Sequence, residues 1–433
     1  MSSLEFPKGF YWGTATSSYH FDSAWSEEGK GQSSWDRFAH TPGTIQNNDA
    51  GYVANDHYHR SKEDVALMKD VGANAYRFSI AWPRIFPQGT GTPNPKGLDF
   101  YNRLVDELVA AGIEPFPTLY HWDLPQAVQD KGGWQSRDTV KAFADYAGYM
   151  AEKLTDRVRH FFTINEFRSF VDRGHQAKVV NVPGGTMTIS VAPGLTLAPG
   201  ELNQVRHHAV LAHGMAVQAI RAKAKPGTKV GPAEVLESAV PLIETPEHIT
   251  AAQTATRERN APFLTVMLEG KYTDAYLKEA GKDAPTFTDE DLKIIASPLD
   301  FVGINVSKPT VYVVASDGAP GWRDIPFAKG HPKMFNEWLT AGPEALYWAP
   351  KFVQSLWKAR AIFITENGCA SDDVLDDGKV YDTDRIMFLR ASLTQLQRAT
   401  ADGVPVLGYF QWSTMDNFEW IYGFGNRVGL VHV

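Results

Sequence analysis

Short apolar runs rich in branched and aromatic residues recur along the chain. Each is followed by a polar loop, then by a stretch whose apolar residues return every three or four positions. The runs at 10–14, 73–81, 114–120, 158–164, 229–233, 299–305, 361–365 and 404–411 predict eight strands. Helices are predicted over 62–70, 97–111, 137–155, 201–224, 344–359 and 382–401, with Ser61 and Ser136 standing as N-terminal caps of the first and third. Strands alternating with helices imply a parallel sheet joined by crossovers. Eight such repeats fit an α/β fold of the closed (β/α)8 type, a TIM barrel, better than a doubly wound sheet. The irregular stretches 174–199 and 306–335 read as loop insertions. No linker, charge block or low-complexity segment divides the sequence, so residues 1–433 are expected to form one barrel domain.

Composition narrows the function. The 433 residues carry 42 Lys and Arg against 50 Asp and Glu, a formal net charge of −8. This balance is a poor match for nucleic acid or an anionic membrane. No apolar stretch reaches the length of a membrane span, and the start, Met1-Ser2-Ser3-Leu4-Glu5, lacks the features of a secretion signal. One cysteine, Cys369, forms neither an internal disulfide nor a multi-thiolate metal site. A cytoplasmic protein is expected, and nothing in the sequence asks for a metal or organic cofactor. Aromatic residues reach 12%, and Trp122, Trp412 and Trp420 stand beside polar residues. Such pairings suit sugars, whose C–H faces stack while their hydroxyls hydrogen-bond.

In a barrel of this kind, chemistry sits at the C-terminal ends of the strands. There the chain places Arg77 in the second run, His121-Trp122-Asp123 after the third and Asn165-Glu166 at the end of the fourth. Asn305 ends the sixth, Glu366-Asn367-Gly368 the seventh and Trp412 the eighth, with Asp416, Glu419 and Trp420 just beyond. A carboxylate at the end of a buried strand is costly unless paired or used. For Glu166 or Glu366 alone a structural ion pair explains it equally well; the amides, His and Trp alongside favour function. Paired carboxylates across a barrel mouth suit glycoside hydrolysis, one protonating the leaving oxygen and the other attacking the anomeric carbon. His57-Tyr58-His59 precedes a helix rather than ending a strand and is a weak metal candidate. His207-His208, on adjacent helical positions, reads as a helix surface. Phosphate, dinucleotide and serine-nucleophile motifs are missing from the sequence.

At these residues the chain resembles family 1 glycoside hydrolases, the β-glucosidase family, over nearly all its length. The resemblance rests on residues 10–19 (FYWGTATSSY), 76–84 (YRFSIAWPR), 119–125 (LYHWDLP), 163–166 (TINE), 364–368 (ITENG) and 412–420 (WSTMDNFEW). It implies a retaining β-glycosidase acting on small glycosides, with Glu166 as general acid/base and Glu366 as nucleophile. It further implies that Arg77 holds Glu366 as a carboxylate and that Asn165 binds the sugar 2-hydroxyl. His20, His121, Trp122, Asn305, Glu419 and Trp420 would contact the glycone, Trp412 would stack beneath it, and Trp338 would wall the leaving-group site. Glu419 would repel a 6-phosphate.

The departures from the family pattern are specific. His20 stands in place of a Gln that makes paired hydrogen bonds to adjacent hydroxyls. Ser307 replaces a Tyr that bonds the nucleophile, and Phe167 replaces a Pro. Ile421-Tyr422 replaces a smaller, acidic pair. The sequence reaches Val433 soon after the eighth strand motif, where family members continue into a last helix. A barrel short of that helix, with an apolar strip exposed, is one expectation. Three functional readings stay open: simple hydrolysis; transglycosylation or shifted glycone preference; and a catalytically weakened sugar-binding protein. Oligomeric state is not legible.

Overall fold

The computed structural model describes residues 5–182, 185–336 and 338–433. Eight strands form its centre: β1 (Tyr11–Ala15), β2 (Ala75–Ser79), β3 (Glu114–Tyr120), β4 (His160–Asn165), β5 (Lys229–Val235), β6 (Val302–Asn305), β7 (Ile362–Asn367) and β8 (Val406–Trp412). They pair in parallel, in chain order, and β8 closes on β1. Each lies within or across one of the eight predicted runs.

Strand alternation builds two layers of core. Ala15, Ala75, Phe116, Phe162, Ala233, Phe363 and Phe410 point into the barrel, with Phe301 beneath β6. Small residues on some strands make room for phenylalanines from others, which fills the interior with side chains rather than a channel. Gly13 shows how tight this is: a Cβ there would lie 2.3 Å from the Phe410 ring. Residues on the opposite faces, such as Tyr76, Leu119, Phe161 and Ile304, pack against the helices.

The six long predicted helices are present at His57–Asp70, Pro95–Ala111, Arg137–Leu154, Pro199–Lys223, Ala345–Trp357 and Thr383–Ala401. Ser136 caps the third as expected, accepting from the Asp138 N–H at 3.2 Å. Ser61 does not cap the first. That helix starts five residues earlier than expected, at His57 after Asp56 in the left-handed conformation (φ 56°), and Ser61 lies inside it, donating to Glu107 at 2.9 Å. The helix-surface reading of His207-His208 is also overturned, because both are buried. The helix Pro199–Lys223 is packed on several sides, so His207 reaches the Tyr272 hydroxyl (2.9 Å) and His208 the Trp134 carbonyl (2.9 Å). His57 opens its helix buried against Asp64 at 2.7 Å. Among the described residues no cluster of three or more His, Cys, Asp or Glu is placed to hold a metal ion.

Between β5 and β6 the structure adds helices that the pattern does not reveal, chiefly Pro246–Arg259. Its buried face is Ala251, Ala252, Ala255 and Thr256, small residues that give little apolar contrast. The two insertions are not wholly irregular. One holds a hairpin, Lys178–Val182 with Gly185–Ile189. In the other, Val311–Ala315 pairs with Trp322–Ile325 and with Ala239–Pro241. After a single turn at Trp420–Tyr422 the chain folds back on the end of β8. Ser413 N–H bonds the Val428 carbonyl (2.9 Å), and Arg427 meets Asp416 (2.7 Å). Ile386 and Met387 on Thr383–Ala401 are exposed beside Pro343 and Ala391. No described helix is long and apolar enough to cross a membrane.

Candidate active site

The C-terminal ends of the strands converge on Arg77, which is fully buried at the mouth of the barrel. Its position on β2 aims the guanidinium across the barrel over the Phe162 ring, 5.3 Å from the centroid. The planar fork then reaches several strands at once. Nε donates to Thr118 (3.2 Å), Nη1 to the Thr365 carbonyl (3.0 Å) and to Glu366 Oε1 (2.6 Å), and Nη2 to Asn165 Oδ1 (2.6 Å).

Asn305 completes the bridge between the two carboxylates. Its Nδ2 donates to Glu166 Oε1 (2.9 Å) and Asn165 Oδ1 (3.1 Å), and its Oδ1 accepts from Thr365 (2.6 Å). With two donors on Asn165 Oδ1, the Asn165 Nδ2 is left to donate to His121 Nε2 at 3.1 Å. Burial holds the His121 ring neutral, with Arg77 and His20 adding to the effect. Its proton is therefore on Nδ1, which has no protein partner and offers a donor to a ligand.

An aromatic wall lines the other side. Trp420 stacks on Trp122 (4.6 Å between centroids, 14°) and lies 3.9 Å from the His20 ring. Trp412 lies nearly parallel to His121 at 5.8 Å. Trp122 directs its indole N–H to the Asn165 carbonyl (2.9 Å), so its polar edge serves the frame of the site. His20 bonds Ser17 through Nδ1. Its Nε2 is unpartnered and lies 3.9 Å from Glu419 Oε2. Burial pushes the His20 ring down to about 3, so it is neutral. Trp338 is about half exposed, and two residues before it Asn336 accepts from the Ala370 N–H. Ser307 accepts from the Gly368 N–H at 3.3 Å.

Two carboxyls of this mouth, Glu366 and Glu419, resist ionisation. Burial pushes Glu366 up to about 8; Arg77 pulls it down, while Glu166 and Glu419 push it further up. Burial likewise takes Glu419 to about 7, although the Trp412 indole N–H favours its charge.

One residue of this neighbourhood escapes the sequence reading. Glu234, at the end of β5, is fully buried and accepts backbone N–H bonds from Phe167 (2.5 Å) and Arg168 (3.3 Å). The signal was available: a carboxylate ending a buried strand is the same feature that singles out Glu166 and Glu366.

Comparison with known proteins agrees with this geometry. The family model described as glycosyl hydrolase family 1 matches residues 2–433. A 1,4-beta-D-glucan glucohydrolase of Thermotoga neapolitana is 41% identical over 431 residues, 99% of this chain and 98% of the relative. Beta-glucosidase A of Acetivibrio thermocellus is 41% identical over 437 residues, covering 100% of this chain and 94% of its own. Among solved structures, the beta-glucosidase from Thermotoga maritima in complex with glucoimidazole superposes with a TM-score of 0.88 at 38% identity. That match covers 99% of this chain and 94% of that one. With a barrel, a mouth of paired carboxylates and these relatives in agreement, the chain belongs to glycosyl hydrolase family 1.

Proposed function

We propose that this retaining glycoside hydrolase cleaves small β-glucosides, with Glu366 as the nucleophile and Glu166 as the general acid/base. The observation that supports it is the arrangement around Arg77. One guanidinium binds Glu366 and Asn165, while Asn305 ties Asn165 to Glu166. Arg77 favours the ionised form of Glu366. In the first step Glu166 protonates the glycosidic oxygen as Glu366 attacks the anomeric carbon. The bond to the leaving group breaks and a covalent glycosyl-enzyme forms. In the second, Glu166 takes a proton from water, which attacks the same carbon and releases Glu366.

In this reading Trp412 lies under the sugar ring, and Asn165 meets the 2-hydroxyl. His121 donates through Nδ1, while His20, Glu419 and Trp420 contact the remaining hydroxyls. Trp122 and Asn305 hold the frame beside the sugar, and Trp338 forms a wall for the leaving group. The substrate class follows that of the relatives, a 1,4-beta-D-glucan glucohydrolase and a beta-glucosidase. The net charge of −8 and the single cysteine fit a cytoplasmic enzyme without a nucleic-acid partner.

The free Nε2 of His20, facing Glu419, favours a second reading in which the preferred glycone is not glucose. A panel of aryl β-glycosides (gluco, galacto, fuco, manno) tests both. Turnover that vanishes in Glu366→Gln supports the assignment, and the preferred sugar reports the effect of His20. Undiminished turnover in that variant rejects Glu366 as nucleophile.

A further inference from the structure

On β5, Ala233 points into the barrel with the inner phenylalanines, so the next residue, Glu234, points outward against the segment that leaves β4. That position faces the packed layer between barrel and helices, where an ionisable side chain is expensive to keep. Glu234 is nevertheless there, with 0% of its surface exposed. Its partners explain it. Two consecutive residues of β5 take three consecutive backbone N–H groups of the segment containing Glu166. The Ala233 carbonyl accepts from Glu166 (2.7 Å), and the Glu234 carboxyl accepts from Phe167 (2.5 Å) and Arg168 (3.3 Å).

Glu166 needs such a clamp. It has a φ of 47°, a left-handed conformation that is strained for a residue with a Cβ. Its carbonyl starts the following turn, accepting from Ser169 (3.0 Å) and Phe170 (3.3 Å). The first N–H groups of a turn look for acceptors, and a residue in this place often supplies its own side chain. The Glu166 side chain is instead directed to the mouth, where it meets Asn305. Glu234 satisfies the N–H groups from the neighbouring strand and leaves the Glu166 carboxyl free. The N–H of Phe167 exists to be bonded because this chain has no proline there.

We propose that Glu234 is a positioning residue for Glu166: it fixes the backbone on which the acid/base carboxyl is aimed at the leaving-group oxygen. The inference rests on Glu166 being the general acid/base. The charged groups acting on Glu234 agree with a carboxyl under tension: burial and Glu166 push its pKa up, while Arg168 and the two N–H groups pull it down.

A misaimed acid has a signature that loss of stability lacks. Glycosides with a good leaving group need little protonation, and those with a poor one need it fully. The test measures kcat/KM of Glu234→Leu and Glu234→Gln on dinitrophenyl and phenyl β-glucosides, with Glu166→Gln as benchmark and circular dichroism as the check on folding. For Glu234→Leu the phenyl glucoside is expected to lose about 30-fold or more while the dinitrophenyl glucoside loses about 3-fold or less. Glu234→Gln keeps one carbonyl oxygen and should fall between, which preserves the test if the leucine variant does not fold. Equal losses on both substrates, or none on either, in a folded variant overturn the proposal. If Glu166→Gln itself shows no such dependence, the assignment of Glu166 fails, and Glu234 has nothing to position.

Discussion

Arg77→Lys is the substitution that most directly probes the electrostatics of this mouth. Lysine keeps the charge but replaces a planar fork with a single ammonium on a flexible stem. Arg77 makes four contacts, to Thr118, the Thr365 carbonyl, Glu366 and Asn165, in directions that one ammonium does not reproduce together. A hydrogen bond to a charged group is worth about 1.5–3 kcal/mol, and one pKa unit is about 1.4 kcal/mol. Loss of the bond to Glu366 should thus raise its pKa by about one to two units. The sign is fixed by the mechanism: attack needs the Glu366 carboxylate, so a higher pKa removes activity on the acid side. In the wild type, burial already pushes this carboxyl up to about 8, so the acid limb of kcat/KM should lie unusually high for a carboxyl. In the variant it should lie about one to two units higher still, with activity partly recovered at alkaline pH. The assay is kcat/KM on an aryl β-glucoside across pH, with a folding check at each point. A uniform loss that leaves the acid limb where it was would refute the claim that Arg77 sets the ionisation of Glu366.

Ser307→Tyr restores a phenolic donor beside Glu366 and should move the same limb down by about one unit, as read from the same profile; an unmoved limb shows that the hydroxyl does not reach. His20→Gln replaces a ring with one free nitrogen by an amide able to make paired bonds. The ratio of kcat/KM for glucoside over galactoside or fucoside should change by about 5- to 30-fold, corresponding to one or two kcal/mol. An unchanged ratio removes His20 from sugar selection. Stability should also respond to pH. Burial pushes Asp123 to about 7, Glu419 to about 7 and Glu366 to about 8, from ordinary values of 3.8, 4.5 and 4.5. Each keeps in the folded state a proton that the unfolded chain releases. The stabilisation is complete below the unfolded values and is lost as pH rises through the folded ones. Calorimetry should therefore show Tm falling between about pH 5 and about pH 8; a level or rising Tm over that window contradicts it.

The eight barrel strands were legible because most are short runs of branched and aromatic residues buried on both faces over most of their length, a pattern local enough to read from neighbours in sequence. The same holds for Glu166 and Glu366, which stand out as charges ending apolar runs. Helix Pro246–Arg259 was not legible because its buried face is made of alanine and threonine, and burial of small residues leaves no periodic contrast. The buried pair His207 and His208 was misread for a related reason. Adjacent helical positions suggest one exposed side, but a helix packed on several sides hides both.

The linear sequence thus determined the barrel, the identity of its mouth residues and the chemistry open to them, since these depend on residue type and local spacing. Tertiary structure alone decided which group each would meet. Arg77 bonds Glu366 across 289 positions of chain and Asn165 across 88, and Asn305 reaches Glu166 across 139. It also decided that Glu234 is turned against the backbone after Glu166, 67 residues away. Such partnerships are set by barrel closure and by strand register. A shift of one residue turns every side chain to the opposite face.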